Sequence, residues 1–184
     1  MRLLPPEPLR RGRVKLALLG LFFAAPLVLA WLAYRLDWAP GATSNYGELV
    51  TPPRPLSGAA LERLRGKWVL VSFDAAACDG YCERKLYFMR QLRRAQGSNQ
   101  QRLERLWLLT DGARPGAALA AAIEGTHIAP AQALAARFPA AGAVSDHIYV
   151  VDPLGNLMLR YPRDPDPSRM LEDLQRLLRI AGSG

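Results

Sequence analysis

The chain of 184 residues holds two cysteines, Cys78 and Cys82, with Asp79, Gly80 and Tyr81 between them. On a helix this spacing sets the second thiol one turn after the first, on the same face, with Cα atoms roughly 6 Å apart. Such a pair can close a disulfide. Reduced, it offers two thiolates to one soft metal ion. As a staple it is poor, because so short a loop constrains the unfolded chain little. Thiol–disulfide exchange and soft-metal binding are therefore the chemistries to expect, with a purely structural bridge as the bland alternative. A helix N-terminus at the pair would lower its thiol pKa values.

The elements that position the pair follow from apolar patterning. Trp68 to Phe73 is a nearly continuous apolar run, as expected of a central strand buried on both faces. Tyr81 to Ala95 reads as a helix, with Leu86, Met89 and Leu92 at helical spacing and Gly97 as its stop. Leu103 to Thr110 is a second strand, ended by Asp111 and Gly112. Ala117 to Ile123 and Ala131 to Phe138 are alanine-rich helical pieces, separated by a Gly125-Thr126-His127 turn and Pro130. His147 to Asp152 is a third strand, Asp152 to Asn156 a hairpin turn, and Leu157 to Tyr161 a fourth strand. Ser168 caps a final helix, with Met170, Leu171, Leu174, Leu177 and Leu178 along one stripe. This order predicts an α/β fold with the thioredoxin-like layout, a mixed sheet flanked by helices, and it puts the cysteines at the end of the first core strand.

Half of the residues are hydrophobic and 22% are charged, which excludes a disordered or fibrous chain. The formal charge of +8 is uneven: Arg2, Arg10, Arg11, Arg13 and Lys15 against Glu7 place +4 of it in residues 1–15. That distribution argues for a topogenic cluster and against nucleic acid as a partner. Arg93, Arg94, Arg102 and Arg105 read as solvated faces, with a basic patch that docks a partner as the alternative. Leu16 to Tyr34 is uncharged and apolar, roughly 28 Å as a helix, enough to cross a bilayer core. A single retained transmembrane helix is expected over 16–36, with an aromatic belt at Trp31, Tyr34 and Trp38. The competing reading is a cleaved signal peptide, whose hydrophobic region would be shorter and which would want a clean A-x-A site. The basic cluster precedes it, so residues 1–15 are expected in the cytoplasm and the remainder across the membrane, in the periplasm of a bacterial inner-membrane protein. Residues 37–60, rich in Pro and Gly, read as an extended linker, with 61–184 as the thioredoxin-like domain.

Three segments carry a family resemblance: Gly66 to Phe73, the Cys78-x-x-x-Cys82 pair, and Tyr149-Val150-Val151-Asp152-Pro153-Leu154-Gly155. They resemble the Sco/SenC family of membrane-anchored, thioredoxin-fold copper proteins that help metallate cytochrome c oxidase. The similarity runs from about Tyr46 to Ile180. It implies a copper ion, Cu(I) or Cu(II), held by Cys78, Cys82 and His147, and an acidic residue at Asp111. It also implies an oxidase subunit or another copper chaperone as partner. The sequence departs from the family where Asp79 and Glu83 replace the usual prolines, and where the histidine stands only two residues before Tyr149. Zinc would want a fourth protein ligand, and His127, in its turn, is the only other histidine. Two rival readings remain: a periplasmic thiol–disulfide oxidoreductase using Cys78 and Cys82 as a redox pair, and a non-catalytic scaffold of an oxidase assembly complex. The first usually carries C-x-x-C and a facing cis-proline, where this chain has Ala143 to His147.

Overall fold

The computed structural model describes residues 7–36 and 45–180, in two compact units divided between Thr43 and Ser44. The first unit is helix α1 (Glu7–Arg35), 29 residues long. Its segment Gly12–Arg35 is long and apolar enough to cross a membrane, with none of that window buried against protein. Leu18, Phe22 and Leu27 lie along its apolar stretch. Helix α1 begins well before the apolar run: Pro8 falls in its first turn, where a proline is tolerated, and only Gly12 among the next residues up to Lys15 disfavours helix.

The second unit is built on one six-stranded sheet. Its strands are β1 (Glu48–Pro55), β2 (Trp68–Asp74), β3 (Leu103–Leu109), β4 (His127–Pro130), β5 (Ile148–Val151) and β6 (Asn156–Arg160), in the order β1-β6-β5-β2-β3-β4. Strand β2 pairs parallel with β3 and antiparallel with β5, so it lies inside the sheet and every residue of it is buried. Alternation along β2 separates two cores. Trp68 and Leu70 face helices α3 (Gly80–Arg94) and α5 (Pro167–Ile180), where Leu86, Met89, Met170 and Leu174 meet them. Val69, Val71 and Phe73 face the other side, packed with Leu61 of the short helix α2 (Ala59–Glu62) and with Phe138 and Tyr149. Helix α4 (Ala117–Ala122) lies between β3 and β4.

Four expectations need correction. The segment taken as a linker over 37–60 contains β1, which pairs antiparallel with β6, and the sheet-bearing unit begins by Asn45 rather than at residue 61. Pro52, Pro53 and Pro55 are tolerated because β1 is an edge strand whose register breaks between Leu49 and Arg54. Residues 37–44 lie outside the described residues. His127 sits in edge strand β4, beside Leu106, rather than in a turn. The alanine-rich stretch Ala131 to Phe138 forms a 3₁₀ turn over Gln132–Arg137 instead of an α-helix. Finally, the cap of α5 is Asp166, whose Oδ1 accepts the Ser168 N–H at 2.8 Å, with Pro167 at the first helical position.

Candidate functional site

Beyond Asp74 the chain turns from sheet to helix through Ala75, Ala76, Ala77, Cys78 and Asp79. The turn is held from two sides. Cys78 N–H donates to Ala75 O at 3.0 Å, and Ala76 N–H donates to Asp111 Oδ2 at 3.0 Å. Asp111, in the loop after β3, accepts the Ala113 N–H on its other oxygen, so the acidic residue singled out by resemblance clamps the cysteine turn. Cys78 itself adopts φ +44°, a left-handed conformation that costs a non-glycine residue on the order of 1 kcal/mol. Asp79 caps α3: its Oδ1 accepts Tyr81 N–H at 3.0 Å and Cys82 N–H at 2.8 Å. An aspartate in place of the family's proline thus starts the helix by satisfying otherwise orphaned donors.

The two cysteines form a disulfide, Cα atoms 5.2 Å apart, as their spacing allowed. Both cysteines are buried, to different degrees. Cys78 is 8% exposed and Cys82 only 1%, packed with Leu86, Ile148 and Tyr161 in the α3–α5 core. The sequence leads one to expect two reachable thiols; in the structure both cysteines are buried, Cys82 the more deeply because it shares the buried stripe of α3 with Leu86 and Met89.

That stripe also contains a charge the sequence reading passed over. Lys85 is 1% exposed, and its ammonium donates to Asp74 Oδ1 at 2.7 Å, to Phe73 O at 3.4 Å and to Ser145 O. It also lies 5.0 Å from the centre of the Tyr81 ring. Burial pushes the Asp74 carboxyl up to about 6, against the attraction of Lys85, and the same burial lowers the Lys85 pKa. With all three hydrogens of Lys85 facing oxygen, we assign the proton to Lys85 at neutral pH. The pair ties the helix carrying Cys82 to the end of β2 and to the loop before β5. Its trace in the sequence is a lysine on an apolar helical stripe, eleven residues after an aspartate that ends an apolar strand.

The structure gives His147 its own set of partners. It precedes β5, and its ring packs against Tyr149, 5.9 Å between centroids, on the side of the sheet where Phe73 and Phe138 lie. Ile148 and Val150 face the disulfide instead. Nδ1 lies 2.8 Å from Tyr161 O and Nε2 3.3 Å from Ala141 O. A carbonyl only accepts, so the shorter contact fixes Nδ1 as the protonated nitrogen. Among the described residues no three His, Cys, Asp or Glu side chains converge as a metal site. His127 is half exposed on β4, 3.7 Å from Glu104.

An open cleft of about 820 Å³ begins beside the disulfide, at Ala76, Ala77 and Glu83, and runs between α3 and α4 past Leu86, Tyr87 and Leu119. Tyr81, between the cysteines, donates its hydroxyl to Asp146 O at 2.8 Å and closes the opposite side. A dithiol at a strand end and helix start, with a groove nearby, is an arrangement that thiol–disulfide exchange with a polypeptide can use once Cys78 is uncovered.

Comparisons with known proteins agree with this architecture. A family model described as "Transmembrane-like, thioredoxin-like, C-terminal domain" matches residues 68–181. Among solved structures, apo Sco1 from Thermus thermophilus is 18% identical with a TM-score of 0.52, covering 77% of this chain and 99% of that one. Yeast Sco1 with copper bound is 19% identical with a TM-score of 0.51, covering 67% of this chain and 83% of that one. A thiol:disulfide interchange protein from Bacteroides sp. is 16% identical with a TM-score of 0.50, covering 75% and 93%. No curated protein matches the sequence. At these identities the likeness is one of fold, and its Sco neighbours are the ones the sequence motifs resembled.

Proposed function

The chain belongs to the family of transmembrane-like, thioredoxin-like C-terminal domains, and from that premise we propose that it is a membrane-anchored thiol-redox factor acting on cysteines of a partner polypeptide. The observation that carries this reading is the Cys78–Cys82 disulfide where β2 hands over to α3, next in sequence to the cleft residues Ala77 and Glu83, with Cys78 the less buried of the two. In its reducing direction the Cys78 thiolate attacks a partner disulfide and expels a partner thiolate, forming a mixed disulfide. The Cys82 thiolate then attacks Cys78 Sγ and releases the second partner thiolate. Two electrons pass to the partner, and a low-molecular-weight or protein dithiol must re-reduce the pair. The partner that the Sco resemblance supports is a copper-site subunit of cytochrome c oxidase, whose cysteines must be reduced before they accept metal. The N-terminal helix, with its basic flank, supports a cytoplasmic N-terminus and a periplasmic domain.

The difference in burial makes the test directional. Cys82→Ser leaves the less buried thiol and removes the one that resolves the mixed disulfide. Cys78→Ser leaves only the more deeply buried thiol. With a disulfide-bonded cysteine peptide, Cys82→Ser is expected to accumulate at least about tenfold more mixed disulfide than Cys78→Ser, read by intact-mass spectrometry. Equal trapping, or none in either variant, removes the redox reading and leaves the bridge as structural.

Copper as cargo is a second reading, supported by the same two sulfurs. Reduced, Cys78 and Cys82 are a soft, low-coordinate pair suited to Cu(I), and the yeast neighbour holds copper. His147 would join them only after giving up its Nδ1 contact with Tyr161 O. The reduced protein is therefore expected to take up about one Cu(I) per chain, lost in either cysteine variant, with His147→Ala changing uptake little. A large loss in His147→Ala would restore the three-ligand set; no uptake at all would leave thiol exchange alone.

A further inference from the structure

Arg105 was read from the sequence as a solvated arginine, yet it lies on β3 and is 3% exposed. Its Nη2 donates to Glu124 O at 2.8 Å, while Nε and Nη1 are buried with no hydrogen-bond partner. Burial, and then the like charges of Arg93, Arg90 and Arg94, lower its pKa. These groups wall a cavity of about 380 Å³ whose polar lining is Arg90, Arg93, Arg94, Gln100, Arg105 and Glu124. Arg90 donates from Nη1 to Ala122 O at 2.8 Å and leans over the Tyr87 ring, but its Nε is also buried and unpartnered. Arg93 is engaged with Leu103 O and with Glu104, and Glu104 also faces His127. Glu124 is thus the one acid on a wall of four guanidinium groups.

Like charges around a buried, under-bonded guanidinium are unfavourable unless something negative with several acceptor atoms completes them. Guanidinium forks match phosphate oxygens bidentately, and a phosphate brings both more charge and more acceptors than a carboxylate. The cavity is larger than a bare phosphate needs, so a phosphate ester also fits. Gly125, at φ +75°, keeps the wall open, since a Cβ there would stand 3.2 Å from Arg105 Nη2.

We propose that this cavity, on the C-terminal half of α3 and away from the cysteines, binds a phosphate-class oxyanion through Arg105, Arg90 and Arg94. The source is either free inorganic phosphate or the phosphate of an anionic lipid headgroup. Because the Arg105 nitrogens are closed to solvent, binding is accompanied by a shift of that side chain towards the cavity. The proposal is independent of the thiol chemistry.

The test is isothermal titration calorimetry of the full-length protein in a neutral detergent. The probes are inorganic phosphate, dihexanoyl-phosphatidylglycerol, and dihexanoyl-phosphatidylcholine as the zwitterionic control. Saturable binding of phosphate or phosphatidylglycerol is expected, weakened at least about tenfold by Arg105→Met and severalfold by Arg94→Gln. Arg94 is exposed, so its variant reads the site even if Arg105→Met fails to fold. Phosphatidylglycerol binding about tenfold tighter than phosphate identifies the lipid as the source, and equal or weaker binding identifies the free ion. No saturable heat with either anion, or affinity unchanged in the variants that fold, overturns the proposal.

Discussion

Replacing Lys85 by methionine is expected to destabilise the unit from Ser44 onward by about 3–5 kcal/mol at neutral pH, the usual penalty for stripping one partner from a buried ion pair. Asp74 would lose the cation beside it and have either to stay ionised unpaired or to take up a proton, and its Oδ2 has no hydrogen-bond partner even now. Asp74→Asn should cost less, because the ammonium would retain carbonyl oxygens from Phe73, Ser145 and the new amide. The loss in Lys85→Met depends on pH in a defined direction. The folded-state pKa of Asp74 is raised to about 6 from 3.8, so its contribution is fully present below the unfolded value and is lost as pH rises through the folded one. Without Lys85 that carboxyl is harder still to ionise. The gap between wild type and Lys85→Met should therefore be narrow near about pH 4.5 and widen above about pH 6. Urea unfolding at several pH values reads it; a loss under about 1 kcal/mol that ignores pH would mean the pair carries no such charge. The consequence for function is positional. Lys85 holds α3, the end of β2 and the loop before β5 together, and Cys82 rides on that helix one turn earlier.

The contrast between what the sequence disclosed and what it hid follows from the range of the forces involved. Strand β2, helix α3, strand β3 and the β5–β6 hairpin were legible because each announces itself within a few residues, by an apolar run, a helical stripe or an Asp-Pro-x-Gly turn. The disulfide was legible as a geometric option for the same reason. The side of the sheet on which His147 sits was not. Residues 147 and 149 share a face by alternation, but which face α3 covers is decided by packing, and here α3 meets Ile148 and Val150. A resemblance that aligned the histidine along the chain could not fix that parity. Lys85 and Arg105 escaped for a related reason: a lone charge reads as surface, and only the assembled fold shows one meeting Asp74 and the other walled in by its own kind.

Strand β1 was hidden by distance, and that makes its anchoring testable. Its prolines look like a linker, and what overrides them lies at the far end of the chain. Asp173, buried on α5, accepts Tyr46 N–H at 3.0 Å and Gly47 N–H at 2.8 Å across sequence separations of 127 and 126 residues. Gly47 has to be glycine for this approach, since a Cβ would meet the Tyr161 ring at 2.9 Å. Tyr46 adds a second tie, its hydroxyl accepting the Asp166 N–H and its ring lying 4.2 Å under the Arg169 guanidinium. Asp173→Ala removes two charge-assisted hydrogen bonds and strands two backbone donors, a loss of about 3 kcal/mol. The loss should fall on β1 first, because an edge strand broken by prolines has little else to hold it. Hydrogen exchange of the Leu49 and Val50 amides is expected to quicken by about a hundredfold, while β2 amides change far less. Unaltered protection in β1 would mean that its ladder with β6 is sufficient by itself. Loss spread evenly over β2 and β3 would make Asp173 a support of the whole α3–α5 core, and with it of the buried sulfur of Cys82.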